Sequence, residues 1–130
     1  MKWLMIIALA VLPSIAVAEE DPFARYLFPP ELIMAHSQDL GLQEKQRETI
    51  KSEVQKAQSK FFDLQWQAKE EGDKMVKLLQ QSPADEGRIL EQADRIMSLE
   101  REIKRTHLTM LIRLRNLLSA EQQAKLQQFK

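Results

Sequence analysis

The residues best suited to chemistry in this chain are its two histidines, His36 and His107, which both lie among apolar residues at helical spacing. Met110 follows His107 by three residues, so the two side chains share a helix face. Imidazole, thioether and carboxylate groups together can bind copper, nickel, cobalt or zinc, depending on geometry. The alternative is that both histidines are core or half-buried residues, satisfied by a helix carbonyl or a carboxylate. The sequence therefore predicts either an optional site for a divalent or copper ion or two structural histidines.

Other catalytic patterns are missing from the sequence. It contains no Ser-His-Asp spacing, no glycine-rich phosphate loop and no HExxH motif. It also lacks cysteine, which excludes a disulfide framework, a thiolate metal site and a lipoprotein anchor. We therefore expect a protein that is not an enzyme and that requires no cofactor.

A pair of aromatic residues, Phe62 and Trp66, stands four positions apart on the longest predicted helix. The pair is turned by more than a quarter turn from the apolar seam of that helix. Aromatic side chains on an outer helix face indicate an interface or a client-binding surface. The alternative is that a short neighbouring helix covers them.

Apolar spacing predicts the elements that must position these residues. A first helix should begin at Pro29-Pro30-Glu31 and end at Gly41, and a second should run from about Leu42 to Gln80. After a turn at residues 82–85, a third long helix follows, and a short fourth extends from Ser119 to about Gln128. The second helix has apolar residues at alternating steps of four and three, which is a heptad seam, and the third has one apolar face. The two sets are Ile50, Val54, Ala57, Phe61, Leu64 and Ala68, then Ile89, Ala93, Ile96, Leu99, Ile103, His107, Met110, Leu114 and Leu117.

These patterns predict an all-α fold, a long antiparallel helical hairpin with short flanking helices. The second helix alone would be roughly 55 Å long, whereas a compact globule of this size has a radius of gyration of only about 13 Å. A single hairpin buries only one face of each helix, so we expect a homodimer or another partner.

The amino-terminal residues predict export. Lys2 precedes an apolar stretch, and Ala16-Val17-Ala18 is a small-x-small cleavage site. We expect a signal peptide over residues 1–18, cleaved after Ala18, an extended arm over 19–30 and one helical-hairpin domain over 31–130. The mature chain would then be periplasmic and would not span the membrane. The alternative is an uncleaved anchor, although the apolar stretch is shorter than the roughly 20 residues that a spanning helix needs.

Charge balance narrows the range of partners. Without Lys2 the chain has 18 basic and 19 acidic residues. This near-neutral balance does not predict binding to nucleic acid or to an anionic membrane surface.

Two similar five-residue motifs begin the second and fourth helices. In Leu118-Ser119-Ala120-Glu121-Gln122, Ser119 and Gln122 form a capping box. Leu42-Gln43-Glu44-Lys45-Gln46 has the same layout, although Gln43 is a poor capping residue. We expect Leu42, Gln46, Leu118, Ser119 and Gln122 to fix the two helix starts.

These paired motifs on an exported four-helix chain resemble the Spy/CpxP family, whose name LTXXQ describes the motif. That superfamily includes ATP-independent chaperones, zinc-resistance-associated proteins and the heavy-metal sensor CnrX. The resemblance implies a curved, dimeric helical cradle that binds unfolded or membrane-associated periplasmic proteins. It also implies a role in envelope stress, or as an adaptor for a membrane-bound signalling partner.

The resemblance to CnrX-like sensors also implies a ligand set. Those sensors use histidines of the first helix, a glutamate of the second and a His-x-x-x-Met pair of the third. His36, Glu53 and His107 match these positions, and Met110 is displaced by one residue from the expected methionine, where Leu111 stands. Leu32 and Leu40 cannot supply the second first-helix histidine. The preferred expectation is therefore a chaperone or stress accessory protein, and the alternative is a heavy-metal sensor or resistance protein that uses His36, Glu53 and His107.

Overall fold

The structure, a computed structural model, describes residues 22–130. Its elements are all helical, and no strand occurs within that range. This confirms the predicted all-α hairpin with short flanking helices. The signal peptide predicted for residues 1–18 and the first residues of the predicted arm lie outside the described range. The elements are a 3₁₀ helix at Pro22–Arg25, α1 at Pro30–Ala35, α2 at Glu44–Leu79, α3 at Glu86–Leu117 and α4 at Ala120–Gln127.

Helices α2 and α3 form the hairpin. The 36 residues of α2 correspond to about 54 Å of helix, and the helix runs without a break through Gly72. Its buried residues are Ile50, Ala57 and Leu64, at intervals of seven. They belong to the predicted heptad seam, which packs against α3.

The inward face of α3 differs from the prediction at one position. Thr106, rather than His107, is buried against α2, and His107 is exposed. The Thr106 hydroxyl donates a hydrogen bond to the backbone carbonyl of Glu102 at 2.8 Å, so this polar residue can be buried without an unsatisfied group. The expectation that His107 points inward was therefore wrong.

Helix α1 is shorter than predicted. It ends at Ala35, and residues 36–41 form turns in which the Leu40 amide donates to the His36 carbonyl at 3.0 Å. Gly41 closes the segment at φ 60°, a left-handed conformation that glycine adopts without a steric penalty. The turns place Leu40 in the core, where only 3% of it is exposed.

The core is concentrated at the end of the hairpin where α1 and α4 pack. Its most enclosed side chains come from the arm, from α1, from α3 and from α4: Phe28, Ile33, Leu114 and Leu126. The other end of the hairpin, residues 65–105, has little core. Of these described residues only Gln92, on α3, is buried. The far part of the hairpin is therefore a thin, two-helix structure.

The arm lies against the body of the domain. Arg115 donates to the backbone carbonyl of Tyr26 at 3.1 Å, and Gln127 donates to that of Arg25 at 2.7 Å. The Lys130 amine donates to the carbonyl of Leu27 at 2.7 Å, and Phe28 is buried. The described part of the arm is therefore packed against the helices.

Within residues 22–130, the helices are too short or too polar for any of them to cross a membrane.

Candidate functional site

The outer face of α2 has the aromatic pair that the sequence indicated. Phe62 and Trp66 remain 62% and 53% exposed, so neither α1 nor α4 covers them. Their ring centroids are 6.2 Å apart at an interplanar angle of 74°, an edge-to-face contact. The pair is a pre-arranged apolar surface that is open to solvent.

Helix α3 has a second exposed apolar stripe, which we call the outer stripe: Leu90, Met97, Leu108 and Ile112. Leu90 and Leu108 are separated by 18 residues, about five helical turns, and the other two lie within half a turn of the same line. Gln92, Met110 and Leu114, which pack inward, lie on the opposite side of the helix. Helix α3 therefore exposes apolar side chains on the side away from α2, with charged residues such as Arg101 between Met97 and Leu108.

The outer stripe was missed in the sequence because the inward face of α3 carries the stronger apolar pattern. The signal was nevertheless present, since the four residues follow the same 3.6-residue period on the other side.

An apolar groove lies between α1 and the beginning of α2. It has a volume of about 520 Å³ and includes Ile33, Met34, Ile50 and Val54 among its lining residues. Met34 is 69% exposed at its edge. The groove adds to the exposed apolar surface of the molecule and was not predicted.

The two motif glutamines, Gln46 and Gln122, link the beginnings of α2 and α4. Gln122 accepts from the Ser119 amide at 2.9 Å, and Gln46 accepts from the Gln43 amide at 2.9 Å. The Gln46 amide donates to the Gln122 side-chain oxygen at 2.9 Å and to the Leu117 carbonyl at 2.9 Å. Two of these four bonds are local to a helix start, and the other two join Gln46 to residues 71 and 76 positions away in the chain, so we call the arrangement the glutamine clasp.

The hydrophobic residues of the same motifs complete the junction. Leu118 is buried, and Leu42 packs against the core while remaining partly exposed. Ser119 caps α4 by accepting from the Gln122 amide at 3.1 Å, as expected. The motif residues therefore have a structural role: they hold the short helices on the hairpin.

His36 lies at the end of α1 and is partly buried. Its ring stacks on Phe129, with ring centroids 3.7 Å apart and an interplanar angle of 12°. Its Nδ1 atom is 3.4 Å from Asp39. These contacts match the second alternative from the sequence, a structural histidine whose ring nitrogen is paired with a carboxylate.

The other three predicted metal ligands belong to α2 and α3. Glu53 accepts from Lys56 at 3.5 Å and from Arg113 at 3.3 Å, while Met110 is buried in the core. His107 is exposed, and the ring centroid of Phe61 is 6.1 Å from that of His107.

The described residues do not fit a resident metal ion in a single copy of the chain. Among residues 22–130, no three or more histidine, aspartate or glutamate side chains come together in a way that could hold one. His36, Glu53 and His107 are thus not assembled into one ligand set, and Glu53 is occupied by two cations.

Two ionisable groups are perturbed by their surroundings. The side-chain hydrogen bond from Gln92, followed by that from Lys74, lowers the pKa of the Glu71 carboxyl below its ordinary value. Gln92 also donates to the Glu71 backbone carbonyl at 2.8 Å, which ties α3 to α2 in the thin part of the hairpin. Burial lowers the pKa of the Lys130 amine, which donates a hydrogen bond to the Leu27 carbonyl of the arm.

Residues 4–127 match the model of a family described by the words heavy-metal resistance. No curated protein and no solved structure matches the chain significantly.

Proposed function

The chain belongs to the heavy-metal-resistance family, within the Spy/CpxP-like helical superfamily, and we propose that it binds apolar segments of other proteins without enzymatic chemistry. In this proposal it is exported, is periplasmic after removal of residues 1–18, and acts as an ATP-independent chaperone or envelope-stress accessory protein. Its partners are unfolded or membrane-associated periplasmic proteins, and it needs no cofactor.

The exposed apolar surface of the hairpin is the observation that carries this proposal. Both long helices have apolar residues that face away from the α2–α3 seam: the Phe62–Trp66 pair on α2 and the outer stripe on α3. Soluble monomers rarely leave large contiguous apolar patches uncovered, and large ones indicate interaction sites.

The size of the aromatic contact suits transient binding. A buried Phe or Trp side chain hides about 150–250 Å², and more than half of each ring is free here. At about 25 cal/mol per Å², covering both rings would contribute roughly 5 kcal/mol. Loss of translational and rotational freedom on association offsets about 4 kcal/mol or more of this. The pair alone therefore gives weak, reversible binding, and the outer stripe would add to it.

The absence of catalytic chemistry is part of the proposal. Neither histidine is hydrogen-bonded to a serine or threonine hydroxyl in the described chain, so no activated nucleophile is arranged there. The exposed apolar side chains require only contact with a client.

An aggregation assay tests the proposal. The protein, added at a stoichiometric ratio, should slow the aggregation of a denatured test protein that is diluted from denaturant. Replacing Phe62 and Trp66 with glutamine, which keeps a good helix former at both positions, should remove much of this effect. Tyr26→Gln is the matched control, because Tyr26 is an equally exposed aromatic residue on the arm.

Two results would count against client binding. One is a wild-type protein that does not change the aggregation rate of any test protein. The other is a double variant that protects as well as wild type, since the aromatic pair would then have no part in the effect.

We also propose that two copies associate through part of this surface. A long hairpin with one uncovered face on each helix is completed most simply by a second copy related by two-fold symmetry. Sedimentation equilibrium should give twice the mass of the chain, and Leu108→Lys/Ile112→Lys should shift it toward the monomer. A monomeric mass for the wild-type protein at tens of micromolar would refute this part.

Heavy-metal sensing or resistance through His36, Glu53 and His107 is the second candidate function. The family description favours it, and His107 is accessible to solvent. Since the described monomer does not bring these residues together, additional ligands would have to come from a second copy or a partner.

Calorimetric titration tests the metal proposal. Zinc, copper, nickel and cobalt would each be titrated into wild type and into the His36→Ala/His107→Ala variant. Saturable binding that the variant loses would support it, whereas binding that is absent or unaffected by the variant would exclude both histidines as ligands.

A further inference from the structure

A small cleft lies between α2 and α3 on the surface of the hairpin. Its floor contains Ala57 and Thr106, which are buried, and the short Ala57 side chain leaves space where the two helices meet. The cleft has a volume of about 180 Å³. Since one water occupies roughly 30 Å³ in the liquid, the space holds several waters or one small polyatomic ion.

Positive charge is concentrated around this cleft. Four cations line it, Lys56 and Lys60 from α2 and Arg105 and Arg113 from α3, together with the carboxylate of Glu53. The whole chain, in contrast, has 19 basic and 19 acidic residues. The excess of positive charge is therefore a local property of this cleft.

The nearby carboxylates do not cancel this charge. Glu53 is shared between Lys56 and Arg113, at 3.5 Å and 3.3 Å. Lys60 pairs with Glu102 at 3.6 Å. Four cations thus face two carboxylates, and two positive charges remain without a counter-ion.

Two hydrogen-bond donors in the cleft have no partner in the described chain. The Arg105 guanidinium makes no ion pair or hydrogen bond there, and the Thr109 hydroxyl makes no hydrogen bond. The two residues are four positions apart on α3, so their side chains lie on the same face, one turn from each other. Together the two side chains have six N–H and O–H groups, and both line the same small cleft.

We propose that this cleft binds a tetrahedral oxyanion of the phosphate type. The planar fork of Arg105 can donate two parallel hydrogen bonds to two oxygens of such an anion, and Thr109 can donate to a third. Lys56 and Arg113 would add attraction from the other side, and Glu53 holds these two cations in place. A metal cation would be repelled by the same charges.

The anion could be free phosphate or the phosphate group of a lipid at the membrane surface, because both present the same oxygens. The site does not include the aromatic pair, but Arg105 lies three residues before Leu108, on the side of α3 that carries the outer stripe. An anionic ligand here would bridge α2 and α3 in the middle of the hairpin.

Backbone amide shifts measured by NMR test the proposal. The purified protein would be titrated with inorganic phosphate at constant ionic strength, and separately with vesicles of neutral lipid containing phosphatidylglycerol. Phosphate should cause saturable shifts confined to residues 53–60 and 105–113. Arg105→Gln should weaken binding about tenfold or more, because a charge-assisted hydrogen-bonded pair is lost.

The matched control is Arg88→Gln, which removes the same side chain from the same helix about 25 Å away. At physiological salt this distance exceeds the screening length of about 8 Å, so the control should bind as wild type does. Loss with Arg105→Gln alone, with phosphate as ligand, supports the site and identifies a soluble anion. The same loss seen only with vesicles supports the site and identifies a lipid phosphate. Shifts that do not saturate with either probe, or equal effects of both variants, would overturn the proposal.

Discussion

The glutamine clasp allows a quantitative test of what holds the short helices on the hairpin. Replacing Gln122 with alanine removes the acceptor for the Ser119 amide at 2.9 Å and the partner of Gln46 at 2.9 Å. It also removes a donor to the Leu40 carbonyl at 3.3 Å. A typical intramolecular hydrogen bond contributes about 1 kcal/mol net. We therefore expect Gln122→Ala to lower the free energy of unfolding by about 2–3 kcal/mol.

The bond between the two glutamines predicts non-additivity. Gln46→Ala should also lower the free energy of unfolding by about 2 kcal/mol, because Gln46 bonds to the Gln43 amide, the Leu117 carbonyl and Gln122. The double variant should cost about 1 kcal/mol less than the two single variants together, since their shared bond is counted in both. Urea unfolding followed by circular dichroism measures all four proteins of this cycle.

The matched control is Gln65→Ala, on the exposed surface of α2, where the glutamine makes no hydrogen bond within the described chain. Its free energy of unfolding should stay within about 0.5 kcal/mol of wild type. If the Gln122→Ala protein were as stable as this control, or if the two clasp substitutions were simply additive, the clasp would not link the two helix starts as we describe.

Three further predictions concern other parts of the molecule. Leu114→Ala should lower the free energy of unfolding by about 2–5 kcal/mol because Leu114 is completely buried, whereas Leu90→Ala on the outer stripe should change it by less than 1 kcal/mol; urea unfolding compares them directly. The folded-state pKa of Glu71 lies below its ordinary value of 4.5, so its stabilising contribution is present above pH 4.5 and is lost as pH falls through the folded-state pKa. Glu71→Gln should therefore show a smaller fall of the melting temperature than wild type between pH 5 and pH 3, and equal falls would refute this. Lys130→Ala should make the arm more accessible to limited trypsin cleavage at Arg25, since Lys130 is hydrogen-bonded to two arm carbonyls; unchanged cleavage would show that the remaining contacts are sufficient.

The hairpin was predictable because its apolar periods are long and regular. The positions Ile50, Ala57 and Leu64 recur every seven residues, and such a repeat has few alternative explanations. The turn at residues 82–85 and the capping box at Ser119 are equally local signals, and both helix boundaries lie within two residues of the prediction.

The errors arose where a local contact outweighed the apolar pattern. Thr106 occupies the seam position between Ile103 and Met110, at steps of three and four, and was passed over because it is polar; its hydroxyl is satisfied by the Glu102 carbonyl. Helix α1 ends early because the turns at residues 36–41 bring Leu40 into the core. In both cases the error is one of a few positions: the wrong neighbour was assigned to the seam, and the end of a helix was placed too late.

Long-range relations could not be predicted from spacing alone. The clasp joins Gln46 to Gln122, and the cleft joins Lys56 to Arg105, across separations that local patterns do not encode. The sequence did predict correctly that Phe62 and Trp66 face outward, since that follows from their angular position on one helix.

The central claim, that the outer surface of the hairpin binds unfolded segments, is tested most directly through Trp66. Once residues 1–18, which include Trp3, are removed, Trp66 is the single tryptophan, and its fluorescence reports on its own surroundings. Titration with a permanently unfolded test protein that contains no tryptophan should shift the emission to shorter wavelength in a saturable way. The same test protein in its folded form should cause no shift. An emission spectrum that stays that of an exposed tryptophan while the unfolded protein demonstrably binds would contradict the account.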